Sequence, residues 1–317
     1  MLFPQIPLVD YNHMEEDYWN TGGHPQQSVI YKSIFSHHIV SSLHLKEWMV
    51  KRGNAADKIS VVYTGIDFQK TYPSLDKRAA IRQQWKVDDN LCIIVFSGRI
   101  TSQKQPLILV NTIKELVKYL PEGGFVLAIV GDGPDKSAIE EWVSANELTG
   151  KVWFFGALDN NDTISIMQAS DIFFLPSLWE GISLSIYEAM AVGLPIVSAN
   201  VGGQKELVTF KEGFLIQKGL PEKEVNDYSR VLSYLIKDKE KRRQMGIDAR
   251  LQIENKFGIH AMWRNMEDIL SNVILANEIP SKYEIIDSFR QAYALLFYEK
   301  TLSHELWQAN QFYQSQF

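Results

Sequence analysis

A single cysteine, Cys92, stands among 317 residues, which excludes an internal disulfide and fits a reducing compartment. Positive charge is also in deficit. Thirty-two Lys and Arg face 38 Asp and Glu, a net charge of −6, so no general field draws the chain to nucleic acid or an anionic bilayer. Nucleic acid is not expected as a partner. No apolar run approaches the roughly 18 residues that a spanning helix needs. The opening MLFPQIPLVDYNHMEED lacks the basic and apolar regions of a signal peptide. The D-x-D pattern that holds a divalent metal is missing too. These absences together lead us to expect a soluble cytoplasmic protein without a metal or other cofactor.

What is present is ordinary globular composition, 45% hydrophobic and 22% charged, enough for one large or two medium domains. The middle of the chain alternates. LCIIVFSG (91–98), FVLAIVG (125–131), VWFFG (152–156), DIFFLP (171–176), PIVSAN (195–200) and GFLIQ (213–217) are short apolar runs that read as buried parallel strands. Between them lie helical patterns: 106–120 with proline at its first position, 134–148, 162–169, and 182–192 closed by Gly193. Strand-helix alternation predicts right-handed βαβ units in an α/β fold with a doubly wound parallel sheet. Residues 221–275 and 282–309 read as helical, the latter with an aromatic face around Tyr293, Leu296 and Phe297 that something must cover.

The opening 60 residues hold five of the seven histidines: His13, His24, His37, His38 and His44. No pair sits in a ligand frame such as HExxH, so they are not read as a metal site. Two strands (IPLVDYN and SHHIVSS) and two helices (one within 27–36, one from Leu43 to Lys51) are expected, too little to bury a core alone.

The stretch SLWEGISLSIYEAMAVGLPIV (177–197) is richest in chemistry. Glu180 precedes a predicted helix and Glu188 lies within it, on the order of 12 Å away at helical rise. The backbone N–H groups of Ile182, Ser183 and Leu184 fall at the helix start, where they and the macrodipole suit a diphosphate. Gly181 allows close backbone approach. A carboxylate accepts two hydroxyl hydrogen bonds and so suits a vicinal diol. Taken alone, the spacing equally describes a surface helix with two solvated glutamates. In FSGRITSQKQP, Gly98, Arg99 and Lys104 follow a strand at the carboxyl edge of the sheet, where such sheets bind ligands. They are either phosphate ligands or two solvated cations. VGDGP (130–134) resembles a dinucleotide loop, but Lys136 occupies the third glycine position, so that reading is set aside.

LPSLWEGISLSIYEAMAVGLPIV resembles the E-x7-E signature of glycosyltransferase family four, of the retaining, two-domain GT-B type with Rossmann-like halves. GRITSQKQ is similar to that family's Arg-Lys element, with Gln105 in place of its glycine. VVYTGID (61–67), VWFFGALDNND (152–162) and VGGQKELV (201–208) are similar to further family segments, in the same order. The resemblance implies that Glu180 contacts a donor sugar, Glu188 the ribose, and Arg99 and Lys104 the diphosphate. It places Leu158 and Asn160 beside the nucleobase and the amides of Gly202 and Gly203 near the sugar. His13, in VDYNHMEED, is implied on the acceptor side, alongside a merely structural turn. By the same resemblance, residues 1–60 are the remnant of an acceptor-side domain, 61–262 a nucleotide-sugar-binding domain, and 263–317 helices that pack back on the first. A complete first domain would add on the order of 150 residues ahead of His13, so a missing domain, a partner subunit or self-association is expected.

The implied activity is metal-independent transfer of a sugar from a nucleotide diphosphate sugar to an unidentified glycan, lipid or small-molecule acceptor, with retention. The alternatives are a binding module without turnover and an epimerase or phosphorylase of the same fold. Product from the donor alone marks an epimerase, and a requirement for phosphate marks a phosphorylase.

Overall fold

The computed structural model describes residues 6–16, 22–121 and 123–276. It divides into two compact units, with Tyr63–Arg264 forming one and the residues on either side of it the other. The helix expected over 282–309, with its aromatic face, lies outside the described residues.

In the smaller unit the strands β1 (Val9–Asn12), β2 (His37–Val40) and β3 (Ile59–Val61) form a parallel sheet in that order. Helix α1 (Gly23–Ile30) joins β1 to β2, and α2 (Leu43–Lys51) precedes β3. The α2 boundaries follow from Ser42, whose side chain accepts from the N–H of Leu45. A small core gathers Val29, Val40, Leu45, Trp48, Met49 and Ile59. The third strand was not expected, because ISV is too short to register as an apolar run. Val61, read as opening the next segment, ends β3, and Val62 N–H donates to Val40 O at 2.9 Å. Among the histidines, His38 meets Asp10 at 2.7 Å, His44 meets Glu15, and His37 meets Ser60 at 2.9 Å. Hydrogen bonding within the unit occupies all three.

The larger unit begins with α3 (Leu75–Gln84) and continues β4 (Cys92–Ser97), α4 (Pro106–Tyr119), β5 (Phe125–Val130), α5 (Lys136–Ala145), β6 (Val152–Gly156) and α6 (Asn160–Ala169). It proceeds through β7 (Ile172–Leu175), α7 (Leu184–Ala191), β8 (Ile196–Ala199), α8 (Gln204–Leu207) and β9 (Gly213–Ile216), then α9 (Pro221–Lys237) and α10 (Lys239–Lys256). Helix α11 (Ile259–Ala276) starts within this unit. All six strands are parallel in the order β6-β5-β4-β7-β8-β9, the doubly wound sheet that the alternation predicts. Every residue of β4, β5, β7 and β8 is buried, which is why these strands read as unbroken apolar runs. Phe96, Phe125, Phe173 and Phe174 fill the centre. Truncating one of them to alanine costs about 3–5 kcal/mol through lost transfer energy and the cavity left behind.

The strand order fixes where a ligand can sit. The chain winds outward through β5 and β6, then returns past β4 to start β7 on its other side. Adjacent loops after β4 and β7 therefore run in opposite directions and open a crevice at the carboxyl edge.

Candidate functional site

The loop after β4 is shaped by a backbone contact. Gly98 N–H donates to Val130 O at 3.0 Å and Ile100 N–H to Asp132 O at 2.9 Å, so pairing with the β5 side continues past the strand end. Gly131, at φ +140°, lies so close that an added Cβ would stand 1.9 Å from Gly98 O. Any side chain there would push the loops apart. An added Cβ at Gly133 would stand 2.3 Å from Ile100 O, so the glycines of VGDGP serve loop packing, and Lys136 reaches Asp132 at 3.3 Å. Arg99 is exposed on this loop, and its side chain has no hydrogen bond or ion pair among the described residues.

A turn of 3-10 helix over Ser102–Lys104 brings the chain to α4 through Gln105, whose φ of 49° is left-handed. A glycine adopts this conformation freely, whereas a side chain costs about 1–2 kcal/mol there. The Gln105 carboxamide oxygen accepts from Lys218 Nζ, which also pairs with buried Glu224. That contact offsets part of the strain and keeps the loop shape despite the absent glycine.

The loops after β4 and β7 are joined directly. Leu178 N–H donates to Gln103 O at 2.7 Å, and Gln103 Nε2 donates to Trp179 O at 3.1 Å. Lys104 Nζ meets Glu180 Oε1, and Ser177 Oγ donates to the same oxygen at 2.6 Å. Glu180 is 7% exposed, yet its second oxygen, Oε2, has no partner among the described residues. The carboxylate is thus held by one oxygen and open at the other. Gly202, at φ +53°, backs onto Glu180 O, where an added Cβ would stand at 1.8 Å. Gly203 N–H donates to Gly181 O at 2.7 Å. Of the two amides expected near the sugar, that of Gly203 is therefore engaged within the chain, while the Gly202 amide has no partner among the described residues; the pair buttresses the backbone of Glu180 and buried Gly181.

Helix α7 starts at Leu184, two residues later than expected, with Ser183 as its N-cap. The Ser183 hydroxyl makes no capping bond and instead meets Ser185 Oγ at 3.0 Å. Ile182 and Ser183 therefore belong to the turn before the helix, and only Leu184 is within it. Even so, none of their three backbone N–H groups has a partner among the described residues, leaving an anion-friendly terminus. One turn in, Glu188 accepts from Asn160 Nδ2 at 2.7 Å. Burial raises the Glu188 pKa above its usual 4.5, and the Asn160 hydrogen bond opposes the rise. Asn160 is the first residue of α6, capped by Asp159, whose side chain accepts from Asp162 N–H at 2.8 Å. Leu158 is half-buried against the main core.

The structure thus brings Lys104 to Glu180 and Asn160 to Glu188, pairs that sequence named separately. Ser177 was missed as a contributor, although it stands within the quoted signature. His13 lies in the smaller unit, where its carbonyl accepts from Ser41 Oγ at 2.7 Å and its ring lies 4.2 Å from that of Tyr11. Desolvation lowers its pKa from 6.5, favouring neutral imidazole near pH 7. No cluster of three or more His, Cys, Asp or Glu placed to hold a metal occurs among the described residues. No helix among them is long and apolar enough to cross a membrane.

Known proteins resemble this chain in sequence and in fold. A UDP-Gal:alpha-D-GlcNAc-diphosphoundecaprenol alpha-1,3-galactosyltransferase of Escherichia coli is 30% identical over 224 residues, covering 69% of this chain and 55% of the relative. A GDP-mannose-dependent mannosyltransferase of Corynebacterium glutamicum, acting on a monoacylated phosphatidylinositol monomannoside, is 26% identical over 67% of this chain and 54% of its own length. The chain spans about half the length of these curated relatives. The crystal structure of Anabaena HepE in complex with UDP and glucose shares the fold, with a TM-score of 0.72 at 23% identity, covering 84% of this chain and 71% of that one. The model of the family described as "Glycosyl transferases group 1" matches residues 77–252, from α3 through α10 and including Arg99, Lys104, Glu180 and Glu188. With more than half of its residues matched by that model, the chain belongs to the group 1 glycosyltransferases.

Proposed function

We propose that the larger unit binds a nucleotide diphosphate sugar at the carboxyl edge of its sheet and serves transfer of the sugar to an acceptor, with retention and without a metal. The observation that carries this reading is the meeting of Lys104 and Glu180 in the β4/β7 crevice, with Arg99 unpaired beside it. Charge develops on the departing diphosphate, and preorganised donors aimed at that charge lower the barrier. Arg99 supplies a forked donor and Lys104 a point charge, with the free N–H groups of Ile182, Ser183 and Leu184 completing the cradle. The open Oε2 of Glu180 accepts a sugar hydroxyl, and Gly181 lets the sugar approach the backbone. Glu188 accepts from the ribose diol, Asn160 orients it, and Leu158 lies along the base. His13, neutral and half-exposed, is assigned to the acceptor side. Relatives that use UDP-Gal and GDP-mannose support a nucleotide-sugar donor and leave the base open.

A thermal-shift screen across UDP, GDP, ADP and TDP sugars tests the reading. A ligand at 100 times its Kd adds about 2.7 kcal/mol, a visible shift. One nucleotide series should stabilise the protein, and transfer from that donor should persist in EDTA with the anomeric configuration unchanged by NMR. Failure of all four series to stabilise it would remove the proposal.

A further inference from the structure

Lys104, the cation that meets Glu180, stands between two glutamines tied to different loops. On one side, the carbonyl of Gln103 accepts from Leu178 and its carboxamide donates to Trp179, both in the loop after β7. On the other, Gln105 closes the 3-10 turn, its N–H donating to Ser102 O at 3.1 Å. It also opens α4, its carbonyl accepting from Leu109 N–H at 3.1 Å. Its φ of 49° and ψ of 56° are left-handed, and two local effects oppose that conformation. The Cβ of an L-residue crowds the following carbonyl, and the ring of Pro106 pushes the residue before it toward extended backbone. Left to local preference, the chain would straighten at Gln105 and swing Lys104 with it.

What opposes this comes from 113 residues further along the chain. Lys218 follows β9, the outermost strand, and its Nζ donates to Gln105 Oε1 and to Glu224 Oε2. Glu224 lies in the first turn of α9, where the macrodipole favours a carboxylate. It is 2% exposed, and its other oxygen accepts from Gly219 N–H at 2.8 Å, so the anchor is fixed through both oxygens. Ser229 Oγ of α9 donates to Thr112 O of α4 at 3.2 Å, which joins the two helices that carry Glu224 and Gln105. The Lys218 charge is neutralised by Glu224. Lys218 therefore reaches the crevice through Gln105 and not as a further phosphate ligand.

We propose that Lys218 is a positioning residue for the diphosphate clamp. By holding Gln105 left-handed against the Glu224 anchor, it keeps Lys104 turned to Glu180, so the loops after β4, β7 and β9 act as one support. The role in the clamp rests on the proposed donor site, whereas the hold on Lys104 does not.

The test compares Lys218→Met/Glu224→Gln with the wild type; the second change keeps an acceptor for Gly219 and leaves no buried carboxylate unpaired. The first readout is trace acylation of Lys104 in the 317-residue protein, followed by mass spectrometry against exposed Lys256. An amine paired with Glu180 reacts slowly, and the variant should raise the Lys104 rate about fivefold as the left-handed turn opens. Lys218→Arg, which keeps donors for both partners, should hold the rate within about twofold of wild type. In Gln105→Gly, whose backbone takes up the turn unaided, adding Lys218→Met/Glu224→Gln should change it by less than about twofold. An unchanged rate in the first variant, or an equal rise with glycine at 105, overturns the positioning role. The second readout is calorimetry with UDP, GDP, ADP and TDP. Each diphosphate that binds the wild type should weaken about tenfold in Lys218→Met/Glu224→Gln, its nucleoside being unaffected, and adding Gln105→Gly should restore it. A faster Lys104 with diphosphate affinity unmoved overturns the role in the clamp alone. A faster Lys104 in a protein that binds none of the four diphosphates overturns the donor reading and not the hold on Lys104.

Discussion

Glu180 and Glu188 stand eight residues apart in one motif, yet they are held in different ways. Glu180 sits on an irregular loop and is fixed by Lys104, Ser177 and the glycine buttress behind its backbone. Glu188 sits on a regular helix and has one side-chain partner, Asn160. The helix alone aims Glu188, whereas Glu180 needs Ser177 of its own loop and two other segments to aim it. A carboxylate on irregular backbone thus depends on distant residues, and substitutions should separate the two accordingly.

The largest expected difference is in Glu180→Ala. It leaves half-buried Lys104 without its partner and should destabilise the protein by about 2 kcal/mol in urea unfolding, below the cost of unpairing a fully buried charge. Transfer should fall about a hundredfold through lost sugar positioning, with affinity for the bare nucleotide nearly unchanged. Equal loss of nucleotide by the two glutamate variants would end the division of roles. Next comes the diphosphate clamp. Arg99→Ala should weaken a nucleoside diphosphate by about 1.5–3 kcal/mol in calorimetry, with little effect on the nucleoside and none on the melting temperature, since Arg99 is exposed. Lys104→Ala should lower both affinity and stability, because Lys104 also neutralises Glu180.

A smaller effect concerns pH. The Glu188 pKa is raised in the folded chain from 4.5. The native state therefore binds more protons than the unfolded state between 4.5 and the raised value. The stability contributed by the protonated group is complete below 4.5 and is lost as pH rises through the folded pKa. Compared with Glu188→Gln, the wild type should lose stability across that window while its nucleotide affinity rises as the carboxylate ionises. A difference between the two proteins that stays flat across the window would refute the assignment. The smallest expected change is in Gln105→Gly. Relief of the left-handed backbone, about 1 kcal/mol, opposes loss of the Lys218 contact. Unfolding should move by no more than about 1 kcal/mol, with nucleotide binding retained.

Much of the larger unit was legible because buried parallel strands leave continuous apolar runs, and Pro106 and Gly193 mark helix ends locally. The Glu180–Glu188 spacing and the Arg99–Lys104 pair were legible for the same reason: each lies within one short segment. The small strand Ile59–Val61 was not, since three residues carry no period and its stability comes from pairing with β2. The start of α7 was misplaced by two residues because Ile182 and Ser183 are compatible with a helix, and only packing of the Glu180–Gly181 backbone against Gly202 and Gly203 keeps them out of it.

Sequence by itself determined the alternation of elements, the doubly wound class and the residue types available at each strand end, because these depend on neighbours a few positions apart. Only the tertiary structure decided that Lys104, Ser177 and Glu180 share one oxygen, that Asn160 meets Glu188, and that the Gly203 amide is already engaged. The Lys104–Glu180 contact crosses 76 residues of chain and exists because the strand order sets β4 beside β7. A hydrogen bond is satisfied by atoms within about 3 Å, and no local pattern records which distant segment will supply them.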